Sequence, residues 1–81
     1  MLFIFKKEDI HGIWMKDMQF PIDILWLDSG YEVVDIAENV SPLTYPKIFY
    51  PKTSSLYVFE ARQGFARENK IGLGTKLQIS F

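Results

Sequence analysis

The alternation of apolar and polar residues predicts a chain built mostly of short β-strands. Residues 22–28 predict a strand in which residues 22–27 are apolar on both faces apart from Asp23, and a strand that is apolar on both faces lies in the middle of a sheet. A turn at 28–31 follows, with Gly30 free to adopt a positive φ, and residues 32–40 resume the extended pattern. We therefore expect a central hairpin of these two segments.

Further strands and one helix are predicted around this hairpin. The strands span residues 2–5, 10–15, 56–60 and 75–81, with a short strand at 47–50. Gly12 lies inside the second of them, and a glycine within a strand indicates a bulge or a close backbone approach. Residues 61–69 have helical spacing and predict one short helix.

Prolines interrupt the pattern between residues 40 and 55. Pro42, Pro46 and Pro51 exclude a regular strand or helix interior over most of this crossing. A long irregular segment in a small domain is often a binding element, and the alternative is a passive connection across the end of a sheet. Both interpretations remain open from the sequence.

Composition limits the classes of function. The chain has 81 residues, of which 48% are hydrophobic and 16% aromatic, more than a core of this size readily buries. This surplus predicts either an oligomer interface or contact with additional chain. The net charge is −1, with nine basic residues against ten acidic. That balance argues against a nucleic-acid binder, which needs a clustered basic face.

The chain lacks the residues or the sequence contexts that several kinds of site require. The chain has no cysteine, so disulfides, thiolate zinc sites and thiol nucleophiles are excluded. The single histidine, His11, has only unpatterned carboxylates around it, and no serine has a nucleophile-elbow context, so we expect no metal, cofactor or nucleophile. No apolar run reaches the roughly 18–20 residues of a membrane span. With no signal peptide either, the sequence favours a cytoplasmic location.

In one stretch, residues 11–28, charged residues stand among closely spaced apolar residues. Within it Asp23 stands on an apolar strand face, where a carboxylate must be paired, hydrogen-bonded or neutral, and Lys16 is the nearest candidate partner. The candidate ligand-binding residues are therefore Trp14, Lys16, Asp17 and Asp23, in a pocket walled by Trp14 and Trp26. The alternative is that Asp23 accepts backbone N–H bonds and holds the turn around Pro21.

Motifs in this stretch and in the tail resemble those of a known family. Its signature is G-[FW]-W-M-K-N-T…P-L-D-[IL]-x-[FW], and its members end in E-x-x-x-G…[IL]-x-x-G-[DT]. The matching segments are Gly12-Ile13-Trp14-Met15-Lys16-Asp17-Met18, Pro21-Ile22-Asp23-Ile24, Trp26-Leu27-Asp28 and Glu60-Ala61…Gly64…Ile71-Gly72-Leu73-Gly74-Thr75. They are similar to the domain of unknown function 192 family. Asp17 and Met18 depart from the asparagine and threonine usual there.

The resemblance implies an α+β fold in a single domain, residues 1–81. It implies a small, mostly antiparallel, barrel-like sheet with one short helix near the C-terminus. Members usually carry a strand and a helix before the equivalent of residues 1–3, so the resemblance also implies an N-terminally truncated chain. It implies no activity, because the family is uncharacterised.

Three functional hypotheses follow. The first is a non-enzymatic ligand-binding or accessory module that uses the polar cluster beside the two tryptophans, with an unknown small molecule or protein as its partner. The second is a small enzyme with Asp23 as general base and Lys16 as electrostatic stabiliser. The third is a protein-interaction domain whose exposed aromatic residues contact a partner chain or a second copy, which would make the protein a homo-oligomer.

Overall fold

A four-stranded antiparallel sheet with the strand order β1-β6-β3-β4 forms the centre of the computed structural model, which describes residues 1–78. A two-stranded antiparallel sheet, β2-β5, lies beside it. The elements in chain order are β1 (Leu2–Asp9), β2 (Ile13–Trp14), β3 (Ile22–Leu27), β4 (Val33–Val40), β5 (Ile48–Phe49), β6 (Ser55–Arg62) and α1 (Phe65–Glu68), with a 3-10 turn at Pro42–Thr44.

The strand β3 is the centre of the core, as its two apolar faces predict. All six of its residues are buried, and it pairs with β4 on one side and β6 on the other. Alternate residues enter two apolar clusters on opposite faces of the sheet. Ile22, Ile24 and Trp26 pack with Met15, Val40 and Val58, whereas Leu25 and Leu27 pack with Val33.

The α+β class predicted from the resemblance is confirmed, while the sheet remains open. Among the described residues, β1 and β4 are edge strands that do not meet to close a barrel. No helix in this part of the chain has the length and apolar character needed to cross a membrane.

The predicted helix over residues 61–69 is wrong at its start. Ala61 and Arg62 continue β6, where they pair with Asp23 and Ile22 of β3, and the ladder outweighs their local helical spacing. The helix α1 has only four residues and begins after Gly64, whose φ of +88° turns the chain out of the sheet. A left-handed φ of this kind suits glycine, which has no Cβ to clash.

The predicted strands at 10–15 and 75–81 also differ from the structure. The first contracts to Ile13–Trp14. Of the second, residues 79–81 lie outside the described residues, and residues 75–78 make a single bridge between Lys76 and Glu32 rather than a strand. Leu77 nevertheless donates its N–H to the Tyr31 carbonyl at 2.9 Å and packs against the cluster of Leu25 and Leu27.

The proline-containing crossing folds back onto the residues that precede β3. Its strand β5 pairs with β2, with Ile13 opposite Phe49 and Trp14 opposite Ile48. Gly12 permits this contact, since a Cβ built on it would lie 2.6 Å from Ile48 Cγ2 and 2.7 Å from Tyr50 Cε1. Of the two alternatives predicted for this glycine, a bulge or a close backbone approach, the structure shows a close approach, and side chains of β5 and Tyr50 make it.

Replacing Gly12 with alanine is expected to destabilise the protein by about 1–3 kcal/mol, because the added methyl group overpacks the β2-β5 contact. Urea unfolding measures the effect. Gly72→Ala is the matched control, since its Cβ would meet nothing within 4 Å, and we expect it to stay within ~0.5 kcal/mol of the parent. Equal midpoints for the two variants would contradict the packing role.

Candidate functional site

Asp23 is fully buried in β3, and both of its carboxylate oxygens accept backbone hydrogen bonds. Oδ1 accepts from the Asn39 N–H at 2.9 Å, and Oδ2 accepts from the Ala66 N–H at 3.0 Å. Asn39 has a φ of 53° at an irregularity in the β3-β4 register. Ala66 is in the first turn of α1, whose N-cap residue provides no side-chain bond. Asp23 therefore joins strand β4 to the helix.

The predicted pairing of Asp23 with Lys16 is wrong. Side chains alternate along β3, so Asp23 shares its face with Leu25 and lies on the opposite face from Ile24. Within residues 1–78, the ion pair that does form is the exposed contact between Arg62 and Glu68 at 3.5 Å. The alternative that Asp23 accepts backbone N–H bonds is what the structure shows, although the donors lie in β4 and α1 rather than around Pro21.

Trp14 and Lys16 do lie together. The Trp14 side chain is 45% exposed, the Lys16 Nζ is 5.8 Å from the centre of its ring, and the Tyr45 ring centroid is 5.2 Å away on the proline-containing crossing. Asp17 is exposed in the turn that follows, with a φ of 62°. Asparagine and aspartate tolerate that left-handed conformation better than most residues. Asp17 therefore suits the backbone conformation of this turn.

Trp26 is a core residue and does not wall the pocket. Only 1% of its surface is exposed, and its Nε1–H donates to the His11 carbonyl at 2.8 Å. The His11 ring stacks on Phe5 with centroids 3.6 Å apart, and its Nε2 lies 3.0 Å from the Lys7 carbonyl. These contacts join the end of β1 to the sheet. No cluster of potential metal ligands occurs in the described part of the chain.

An apolar groove of about 420 Å³ lies between β1 and the segment that contains Trp14 and Lys16. Its lining consists of Met1, Phe3, Phe5, Gly12, Ile13, Trp14, Lys16, Met18 and Glu60. A second groove of about 520 Å³ adjoins it and shares Met1, Met18 and Glu60. Both grooves are mainly apolar and share the Glu60 carboxyl group, while Lys16 lines the first groove and Arg62 lines the second.

Glu60 is the site residue that the sequence reasoning missed. It lies on β6 opposite Ile24, beside Met1 of the neighbouring strand. Burial raises the pKa of its carboxyl group above the usual range, and the Met1 ammonium acts in the opposite direction. A signal was present, because Glu60 shares its strand face with Leu56 and Val58, the same anomaly that singled out Asp23.

Comparisons with known proteins agree on one family. The model of the DUF192 family, described as Uncharacterized ACR, matches residues 1–79. UPF0127 proteins of Pyrococcus horikoshii and Pyrococcus abyssi are 33% and 35% identical over 69 residues, which is 85% of this chain and 54% and 53% of theirs. The chain thus spans about half the length of these curated relatives.

Two crystal structures are similar in fold. One is described as a candidate transcription regulator from Sinorhizobium meliloti 1021, and it matches 95% of this chain and 59% of its own with a TM-score of 0.89. The other is a protein of unknown function from Novosphingobium aromaticivorans, which matches 93% of this chain and 53% of its own with a TM-score of 0.85. Each is 27% identical in sequence.

Asp23→Asn is expected to destabilise the protein by about 2–3 kcal/mol. The amide nitrogen that replaces one oxygen would face either the Asn39 or the Ala66 N–H. Because two donors cannot bond to each other, the amide N–H and the backbone N–H that it faces would both lack an acceptor in a buried position. Asp28→Asn is the matched control, because the Gly30 and Glu32 N–H groups both bond to one oxygen, Oδ1, which asparagine keeps. Urea unfolding compares the variants, and an equal cost at both positions would contradict the two-oxygen role.

Glu60→Gln is expected to stabilise the protein at pH 7. Since burial raises the folded-state pKa of this carboxyl group, its ionised form is destabilising in the folded state, and glutamine removes that cost. The advantage shrinks as the pH falls through the raised pKa and is lost below the unfolded value of about 4.3, where both side chains are neutral. Urea unfolding from pH 4 to pH 7 measures it, with exposed Glu38→Gln as the control. An advantage that does not change with pH would contradict this account.

Proposed function

Because the chain belongs to the DUF192 family, which is described only as uncharacterised, we propose a function from its own groove. The protein is a non-enzymatic binding module for a ligand with an apolar body and one negatively charged group. The body lies on the groove floor and the charged group lies beside Lys16. The observation that supports this most is the exposed Lys16 beside a half-exposed tryptophan in the lining of an apolar groove.

The size and lining of the groove support an apolar ligand body. Its volume of about 420 Å³ falls in the range of roughly 300–1,000 Å³ typical of small-molecule sites. Phe3, Phe5 and Met18 are only partly buried by the core they pack on. A ligand that covers them removes apolar surface from water, at about 25 cal/mol per Å².

The charged residues support one orientation of the ligand. Lys16 makes no ion pair within the described residues, so its ammonium group can bind an anion. Glu60, at the junction of the two grooves, would repel an anion and can instead accept a hydrogen bond from a donor on the ligand. Lys16 therefore favours an anionic group beside Trp14 in the first groove.

The other two hypotheses receive unequal support. Asp23 is buried with both oxygens occupied, so it offers no support for the enzyme that uses it as a base. Exposed aromatic and aliphatic side chains on β2 and on the proline-containing crossing favour a protein partner as the second candidate. These are Trp14, Tyr45, Ile48 and Tyr50. A net charge of −1 gives no support for extending the description of the S. meliloti protein to this chain.

A matched series of ligands tests the proposal. The series is 3-phenylpropionate, 3-phenylpropanamide and 3-phenylpropylamine, which share a body and differ in charge. Two-dimensional NMR follows the indole N–H signals, since Trp14 lies in the groove while Trp26 is buried and hydrogen-bonded elsewhere. We expect the carboxylate to shift the Trp14 signal at lower concentration than the amide or amine, and the Trp26 signal to change little.

Two lysine variants test whether Lys16 causes the preference for a carboxylate. Lys16→Met is expected to weaken carboxylate binding about fivefold, as for a partly exposed ion pair worth ~1 kcal/mol, and to leave amide binding unchanged. Lys52→Met removes a lysine outside the groove lining and serves as the control. Equal affinity for all three ligands, or equal effects of the two lysine variants, would contradict the proposed site.

A further inference from the structure

The two-stranded sheet of β2 and β5 has one face on the core and one face in solvent. Ile13 and Phe49 are partly buried and pack against a core cluster. Side chains alternate along a strand, so the neighbouring pair, Trp14 and Ile48, faces away from the core, and these side chains are 45% and 42% exposed. Tyr50 follows two residues after Ile48 and is 60% exposed. The solvent face is therefore apolar.

The apolar surface continues onto the 3-10 turn at Pro42–Thr44. The Tyr45 ring is 43% exposed, and its centroid lies 5.2 Å from that of Trp14. Leu43, two residues earlier, is 93% exposed, the largest value for any large apolar residue that the structure describes. An exposed apolar surface of this kind marks an interaction site. We call its residues the apolar ridge, namely Trp14, Leu43, Tyr45, Ile48 and Tyr50.

The segments that carry the ridge have positive charge and no negative charge. Residues 10–16 and 40–55 contain Lys16, Lys47 and Lys52 but no aspartate or glutamate. Because the whole chain has a net charge of −1, these three positive charges leave −4 on the remaining residues. The three lysines make no ion pair within residues 1–78. Two carboxylates are near them: Asp17 follows Lys16 in the sequence, and the oxygens of Asp35 accept backbone N–H bonds, one of them from Lys52. The surface thus complements an anionic partner.

We propose that the apolar ridge docks the protein onto the surface of an anionic phospholipid bilayer. The ridge enters the boundary between headgroups and acyl chains, with Leu43 deepest, and Lys47 and Lys52 lie among the lipid phosphates. Surface elements with lysine on their polar side and tryptophan or leucine on their apolar side bind membranes in this way. Anionic lipids attract lysines that lie close to the membrane. The contact is peripheral and needs no ligand in either groove, so it goes beyond the binding function.

The residue types favour a bilayer over an acidic protein. All three cations are lysines, and lysine is depleted at protein–protein interfaces whereas arginine is enriched. A lysine stem can instead extend along acyl chains while its ammonium group stays at the headgroups. Tyrosine and tryptophan, which combine an apolar ring with one polar atom, are enriched at the same depth of a bilayer. A leucine on a projecting turn needs a matching pocket in a protein, but a fluid bilayer closes around it.

The same residue types favour a bilayer over a single-stranded nucleic acid. Sites for single strands combine a basic groove along the phosphate backbone with aromatic rings on which bases stack. The ridge also contains Leu43 and Ile48, which have no ring for stacking, and three lysines are few for a track of phosphates.

Vesicle co-sedimentation tests the proposal on the unmodified protein. Vesicles of phosphatidylcholine are compared with vesicles in which roughly 30% of the lipid is phosphatidylserine. We expect binding to the anionic vesicles at low salt and progressively weaker binding as salt screens the lysines. Binding to phosphatidylcholine alone should be weaker by roughly tenfold or more, because it lacks the electrostatic attraction.

Tryptophan fluorescence locates the contact. Lipids with brominated acyl chains quench an indole that enters the bilayer. Trp14 is half-exposed on the ridge, whereas Trp26 is 1% exposed and donates its N–H to the His11 carbonyl. We expect these lipids to quench the unmodified protein. Trp14→Phe should still sediment with anionic vesicles but should no longer be quenched, and quenching that persists in this bound variant would contradict the docking geometry.

Leu43→Ser should weaken binding to anionic vesicles about tenfold, because the leucine side chain no longer transfers from water into the acyl region. Leu73→Ser is the matched control, since Leu73 is 66% exposed and lies beyond α1, away from the ridge. This control should bind like the parent. Thermal unfolding verifies that both variants remain folded, as expected for exposed positions.

The combined substitution Lys47→Gln with Lys52→Gln should weaken binding to anionic vesicles about 25-fold, at about fivefold for each lysine near the membrane. Arg67→Gln with Lys70→Gln removes the same net charge at the end of α1. This helix packs on the opposite face of the main sheet from β2 and β5, so the control pair should change binding little.

Four outcomes would overturn the proposal: no binding to either kind of vesicle, equal binding to both, equal effects of the two leucine variants, or equal effects of the two charge variants. Tighter binding to polyglutamate or to an oligothymidylate than to anionic vesicles would assign the surface to another class of partner and would also overturn it. None of these measurements uses a groove ligand, so their failure is distinguishable from failure of the proposed binding function.

Discussion

The buried carboxylate of Asp23 is the constraint on which the arrangement of the other elements depends. Burying an unpartnered carboxylate costs several kcal/mol, and here that cost is offset only when the Asn39 and Ala66 N–H groups are both in place. A four-residue helix has no stability of its own. Its position against the sheet therefore follows from this contact and from burial of Ala66. The same bonds hold the register irregularity in β4.

The opposite face of the sheet has a different character. There Trp14, Lys16 and Glu60 surround an apolar groove that the core leaves open. A half-buried carboxyl group with a raised pKa weakens the fold at neutral pH, and such groups concentrate at functional sites. The charged residues that stand out in the sequence thus separate into two sets, with Asp23 serving the fold and Lys16 with Glu60 available to a ligand.

The sequence predicted an element correctly where the local residue pattern fixes its conformation. It failed where pairing with a strand distant in the sequence fixes that conformation. The hairpin of β3 and β4 was predicted because its strands alternate regularly and meet at a short turn. The helix was predicted too early because the helical spacing of residues 61–69 gives no information about pairing partners. Ala61 and Arg62 lie beside β3, and their ladder bonds overrode that spacing. Glu60 shares an apolar strand face with Leu56 and Val58 in the sequence, but its position at the groove depends on what packs across the sheet.

The amino-acid sequence alone was enough to predict the hairpin of β3 and β4, the central position of β3, a bulge or a close approach at Gly12 and, through its motifs, the family. These follow from local alternation, from the absence of a Cβ and from residue spacing, all of which are present in the chain before it folds. The folded chain was needed to show that Asp23 and Lys16 lie on opposite faces, that α1 provides a donor for Asp23 and that Glu60 lies at the groove. These facts depend on strand register, because a shift of one residue exchanges the two faces of a sheet.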